Sequence, residues 1–479
     1  MRTADCAISI GKPERKNCAY YGVVRLFSVG VPAMRSLLIV AWLMLPGFAV
    51  AAEPSPAAVR GRAALEGQAF IRAFWPTFAY EQAWKQWGVS TKPADYAAAF
   101  RERYGLHAAP YANDGYPMGV RKADYFIGKG LAIDCMTCHG GSIFGESRIG
   151  LPNGSLDIQA FFEELYVASQ APKVKTPFAF SQARGTNEAG AFSVYLLGLR
   201  NPDLTLASEP RNLGLHDDAC EDVPAWWLLK KKKTMYHVGA TDTRSVRSLM
   251  QFLMHPLTTP AEFTKAEPTF RDVREYLLTI EPPKSPLPID QPLAATGKAL
   301  FAENCAKCHG TYGDESSYPN KIVPLDEIGT DPKRFHNINA TFGEAYSASW
   351  FAKEANADDG IGYPIRATKG YQAPPLDGIW ATAPYFHNGS VPTLAGVLNS
   401  KARPTRFTRS FRTERADYDE VNVGWKTTET PTFDPNLSAY EQRKIYDTTK
   451  PGRGNGGHTY GDDLTDAERR AVIEYLKTL

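Results

Sequence analysis

The segments Cys135-Met136-Thr137-Cys138-His139 and Cys305-Ala306-Lys307-Cys308-His309 repeat one pattern, C-x-x-C-H. Two thiols one helical turn apart can each add to a haem vinyl group, and the adjacent histidine is then placed under the iron as its proximal ligand. C-x-x-C also builds zinc sites and redox dithiols. A zinc site needs a second close pair of ligands, however, and a dithiol has no use for the adjacent histidine. Two complete copies in one chain predict two covalently attached haem c groups, at Cys135/Cys138/His139 and Cys305/Cys308/His309.

Outward from the second motif, Gly297-Lys298-Ala299-Leu300-Phe301 leads into the cysteines with apolar residues spaced for one helix face. The chain closes on Leu464-Thr465-Asp466-Ala467-Glu468, where Thr465 as N-cap and Glu468 three residues on form a capping box. The closing helix has an earlier copy. Val273-Arg274-Glu275-Tyr276-Leu277-Leu278-Thr279-Ile280 matches Val472-Ile473-Glu474-Tyr475-Leu476-Lys477-Thr478-Leu479 at five positions. The first copy runs into the proline-rich stretch Glu281-Pro282-Pro283-Lys284-Ser285-Pro286, which reads as a stiff linker. The expected fold is therefore mainly α, two tandem cytochrome c-like domains with long irregular loops. The first domain covers 53–280, the linker 281–292, and the second domain 293–479.

The N-terminus reads as an export signal. Met34 and Arg35 precede the apolar run Leu37 to Leu45, then Pro46-Gly47 and the small residues Ala49-Val50-Ala51-Ala52. Residues 34–52 are thus a signal peptide cleaved near Ala51 or Ala52. Residues 1–33 either lengthen its charged region or precede a start at Met34. The expected location is periplasmic or secreted, with no stable membrane anchor because the run is too short to span a bilayer. Of the seven cysteines, four belong to the motifs, Cys6 and Cys18 leave with the signal, and Cys220 stands alone, so no disulfide framework is expected. The 43% hydrophobic and 22% charged composition is globular, and a net charge of +2 gives no reason to expect nucleic acid as a partner.

The sixth iron position separates electron transfer from chemistry. The last methionine in the chain is Met254, so the second domain cannot supply a methionine ligand. His336, His387 and His458 remain, His458 in the glycine-rich loop Gly452-Arg453-Gly454-Asn455-Gly456-Gly457. For the first haem, no histidine lies between His139 and His216, which leaves Met118, His216, Met235 and His237 as ligand alternatives. Trp226, Trp227 and Tyr236 are distal candidates beside an open iron, with Glu163 and Glu164 also conceivable.

The two motifs, the linker and Thr382-Ala383-Pro384-Tyr385-Phe386-His387-Asn388-Gly389 together resemble the bacterial dihaem cytochrome c peroxidase superfamily. That resemblance implies a calcium ion between the haems, with Thr382 and Pro384 as contacts. Pro375-Leu376-Asp377-Gly378-Ile379-Trp380-Ala381 and Tyr446-Asp447-Thr448 followed by the His458 loop are similar to the rubber oxygenase-like branch. This branch implies His458 as the sixth ligand of the second haem and His387 as a residue behind the ligands. Two features depart from ordinary peroxidases: the missing methionine ligand and the missing histidine soon after the first motif. The expected protein is an oxidoreductase. Its first haem activates oxygen or hydrogen peroxide, and its second, with two histidine ligands, transfers electrons. An organic substrate or a small periplasmic electron donor would be its partner. A peroxide-reducing cytochrome c peroxidase and a non-catalytic dihaem carrier are the alternatives.

Overall fold

The computed structural model describes residues 53–171, 173–354, 362–432 and 434–479; the signal peptide and the 1–33 extension lie outside the described residues. Six helices frame the two motifs: α1 (Pro56–Gly67), α2 (Met136–His139), α3 (Pro260–Leu277), α4 (Gln291–Asn304), α5 (Ala306–His309) and α6 (Asp466–Leu476). Their starts are written in the sequence. Ser55 caps α1 and Asp290 caps α4 through side-chain oxygens, each with a proline in the first turn. The Thr465/Glu468 capping box opens α6, and Thr259/Glu262 forms the same box at α3.

The helices pair identically in both halves. Gly61 of α1 crosses α3 so closely that an added Cβ would lie 1.9 Å from the Asp272 carbonyl oxygen. Gly297 of α4 crosses α6 with the same 1.9 Å approach to the Ala471 carbonyl oxygen. Asp272 and Ala471 each precede the valine that begins the internal repeat, so the repeated segments are equivalent partners of equivalent glycines. Phe263, Phe270, Val273 and Leu277 form the buried stripe of α3, and Val472, Tyr475 and Leu476 face the core from α6.

Residues 53–479 make one compact unit. One apolar cluster draws Ile143, Leu151, Ala225 and Trp227 from before the linker together with Phe301, Trp380 and Tyr475 from after it. The linker itself is fastened down. Leu287 is buried, the Pro283 carbonyl accepts from Trp380 Nε1 at 3.0 Å, and the Asp290 N–H donates to Glu474 at 3.0 Å. Strands are short, in sheets of two or three. The largest insertion, between α1 and α2, carries a three-stranded sheet of β1 (Trp75–Pro76), β2 (Val120–Asp124) and β3 (Lys129–Ile133) in the order β1-β3-β2. Its Trp75 is fully buried against Phe161 and Phe162.

One buried acid in this frame has no partner. Glu188, at the start of helix Ala189–Gly198, is fully buried with both carboxyl oxygens unpartnered. The neighbouring Glu221 is held by Arg334 at 2.8 Å. Burial first, and Glu221 second, push the Glu188 pKa up to about 10. The folded chain therefore keeps a proton that the unfolded chain releases once pH passes the ordinary carboxylate range, and stability falls as pH rises. Glu188→Gln removes this cost. In urea titrations its stability advantage over wild type should grow by roughly 4 kcal/mol from about pH 5 to about pH 8. A gap that does not change with pH would show that Glu188 is ionised in the fold.

Candidate haem sites

The second site is the more completely built. Cys305 is the C-cap of α4, its N–H bonded to the Phe301 carbonyl at 2.8 Å, and the one turn of α5 places Cys308 and His309 directly after it. His309 Nδ1 lies 2.8 Å from the Pro374 carbonyl oxygen. That contact fixes the tautomer with Nδ1 as donor and leaves Nε2 free as a ligand.

The His458 ring stands opposite, its centroid 6.2 Å from that of His309. A metal–imidazole bond of about 2.0 Å, with the ring centroid about 1.1 Å behind the nitrogen, puts two opposed imidazoles about 6.2 Å apart across one metal. The spacing therefore fits a single iron between the rings. A cavity of about 240 Å³ is lined by both histidines, both cysteines and the apolar side chains of Leu376 and Leu398, as a macrocycle held by two thioethers requires. Burial lowers the pKa of both histidines, that of His458 to about 4, so both rings are neutral and able to coordinate.

The loop that carries His458 is held by its backbone. His458 has φ +47° and follows Gly457 at φ +70°, where a Cβ would strike the Gly329 backbone at 2.2 Å. The His458 N–H donates to Ile328 O at 2.7 Å, and Arg403 donates to the carbonyls of Asn455 at 2.6 Å and Gly457 at 2.7 Å. His387 lines the same cavity, stacked on Tyr371 with centroids 4.0 Å apart and 6.3 Å from His237.

The first motif is set differently. Asp134, two residues before α2, accepts from the Met136 N–H at 2.7 Å and is ion-paired to the buried Arg121. Arg121 also donates to the Glu66 carbonyl at 2.6 Å, which ties the end of α1 to the motif. This buried ion pair was not anticipated from sequence. The His139 ring is stacked on Trp226, with centroids 4.8 Å apart and planes 22° apart. Were His139 to hold an iron, Trp226 would pack beside that ligand ring, which gives no support to Trp226 as a distal group.

The other distal candidates are also placed elsewhere. Trp227 is buried in the shared core and donates to Asp377 O at 2.7 Å. Tyr236 bonds Ser248 and Gln251 and lines the second cavity. Glu164 pairs with Arg103, and Glu163 accepts from Gln159 at 2.7 Å. Of the ligand alternatives, His237 lines the second cavity and bonds the Asp222 carbonyl at 2.8 Å, while Met118 packs against Gly140.

The implied calcium contacts are the Thr382 and Pro384 carbonyls, and Thr382 is anchored by its hydroxyl, which donates to Ile379 O at 3.1 Å. Beside Pro384, the Arg409 guanidinium bonds the Gly154 carbonyl, so a fixed positive charge already stands at this junction. Among the described residues no group of three or more His, Cys, Asp or Glu could hold a metal ion, and no disulfide joins the described cysteines. No helix of the described residues is long and apolar enough to cross a membrane.

Comparison with known proteins finds cytochrome c relationships in the second half of the chain. Two relatives come from Sinorhizobium fredii (strain NBRC 101917 / NGR234). The protein described as "Uncharacterized protein y4iM" is 30% identical over 249 residues, covering 43% of this chain and 53% of that protein. "Uncharacterized protein y4iJ" is 29% identical over 252 residues, covering 40% of this chain and 39% of that protein. The chain thus spans about half, or less, of the relatives it matches. The family described as "Cytochrome c" matches residues 294–379, and "RoxA-like, cytochrome c-like" matches residues 370–408. Together these matches cover the second motif, the Pro374 carbonyl and the Thr382–Gly389 segment, and they relate this part of the chain to RoxA-like c-type cytochromes.

Proposed function

We propose that this chain is an exported dihaem c-type oxidoreductase whose two sites divide the work. Haem c supplies one-electron chemistry and, where a sixth position is open, small-ligand binding. His309 and His458 would both hold the iron of the second site, which would suit electron storage and transfer. Residues around His139 supply a proximal ligand and an aromatic neighbour, and the side facing oxygen or peroxide is left to the first site. The single observation carrying this reading is the 6.2 Å opposition of His309 and His458, against His139 whose stacked partner is Trp226.

The residues between the sites are suited to pass an electron. Trp226 lies on His139, while its neighbours Val223, Pro224, Ala225 and Leu228 line the second cavity. One short segment therefore touches both sites. Oxygen is the favoured oxidant. Two nitrogen ligands give a lower potential than His/Met ligation, which suits poorly a carrier that must accept electrons from a high-potential donor. The RoxA-like match supports an oxygenase type of reaction, with an apolar unsaturated compound as the substrate class. Peroxide reduction fed by a small periplasmic donor is the second reading.

Carbon monoxide titration of the fully reduced protein is the test. One molecule bound per chain is expected, at the first haem. None bound would leave two closed irons and make the protein an electron carrier. Two bound would remove His458 from the iron.

A further inference from the structure

Resting on the reading that the second motif holds haem c, we propose that Lys232, contributed by the first half of the chain, binds a propionate carboxylate of that haem. Lys232 follows the short 3₁₀ helix Trp226–Lys231 and lines the second cavity, as does Leu228 of the same helix. Its neighbours on the helix are already engaged. Lys230 pairs with Glu281 at 2.5 Å and Lys231 with Asp377 at 2.6 Å. No carboxylate of the described residues pairs with Lys232, and burial alone pushes its ammonium down to about 8.

A half-buried cation that faces an apolar cavity without a counter-charge is costly to fold. Its neighbours cannot neutralise it. Its charge acts on the His237 ring, which faces His387 at 6.3 Å, and both rings are kept neutral by burial. Asp222, also on the cavity wall, has its carboxyl pushed well above the usual range by burial, which weakens it as a counter-charge. A haem brings two carboxylates on one edge. The arrangement suits that edge lying toward Lys232, His237 and His387, with the thioether bonds at Cys305 and Cys308. The pairing would hold a segment of the first half against the cofactor of the second.

The consequence can be read electrically. A fixed cation beside a propionate keeps it ionised and offsets its charge at the iron. Without the cation, the propionate titrates in the neutral range. Above that range its uncompensated charge favours the ferric state.

The experiment is spectroelectrochemical titration of the holoprotein, wild type against Lys232→Met and Lys232→Arg, from about pH 5.5 to about pH 8.5. Lys232→Met should match wild type at the acid end. At the alkaline end it should shift about tenfold toward the oxidised form at fixed potential, about 59 mV for one electron. Lys232→Arg should track wild type throughout. Lys232→Gln is read in place of Lys232→Met if the latter does not load haem. A neutral variant whose potential follows wild type at every pH, or is offset by the same amount at every pH, overturns the proposal. Failure of the underlying haem reading looks different: wild-type protein would carry no covalent haem at Cys305 and Cys308 by intact mass.

Discussion

Reduced His458→Gly protein should bind two molecules of carbon monoxide per chain where wild type binds one. The variant removes the ring that faces His309 and leaves the loop standing, because the loop is held by groups the substitution does not touch. The residue 458 N–H still donates to Ile328 O, and Arg403 still holds the Asn455 and Gly457 carbonyls. Glycine is the right replacement here. At φ +47° an alanine keeps the strain of a left-handed residue, about 1 kcal/mol or more, whereas glycine adopts that conformation freely. Added imidazole should occupy the vacated position, compete with carbon monoxide at the second haem and restore the wild-type spectrum. The readout is the optical titration, with free imidazole as the control. A variant that still binds one molecule would show that something other than His458 closes the second iron.

The parts of the fold that could be read in advance are those set by short covalent patterns. Both C-x-x-C-H motifs, the capping box at Thr465 and Glu468, the repeated closing helix and the glycine-rich approach to His458 are local, and each carries its chemistry within a few residues. The missed parts are made by packing between segments far apart in the chain. Helix α1 is the instructive case. Gly61-Arg62-Ala63-Ala64-Leu65 follows the same glycine–basic–alanine–apolar pattern as Gly297-Lys298-Ala299-Leu300-Phe301. In the second half that pattern runs straight into its cysteines. In the first half a long insertion with its own three-stranded sheet separates the two, so nearness in sequence gave no cue. Trp226 is a second case. Its aromatic character marked it as a haem neighbour, but which side of the iron it occupies depends on its stacking against His139, and no spacing encodes that. Arg121 is a third. An arginine on a strand reads as solvent-facing, yet here it is buried, joining Asp134 to the end of α1.

Gly297→Ala should destabilise the protein by about 3 kcal/mol or more, although alanine is the better helix former by about 1 kcal/mol. Propensity loses because of where the methyl group would go. The new Cβ would lie 1.9 Å from Ala471 O and 2.4 Å from Ala471 C, and both atoms are backbone inside α6. A helix carbonyl cannot rotate away without giving up its own hydrogen bond, so the two helices must move apart. Separation opens the contact between Phe301 and Tyr475, whose ring centroids are 5.3 Å apart, and loosens Val472 and Leu476 in the shared core. It also displaces Cys305, because that residue is the C-cap of the helix that moves. Two losses should therefore appear together: a lower urea midpoint, and covalent haem at the second motif falling below one per chain by intact mass. Gly61→Ala is the mirror experiment, with the same 1.9 Å approach to Asp272 O but a long insertion between α1 and its cysteines. It should lower the urea midpoint similarly and disturb haem attachment less. Equal haem loss in both variants would mean that attachment follows overall stability; no loss of stability in either would mean that the helices do not cross at these glycines.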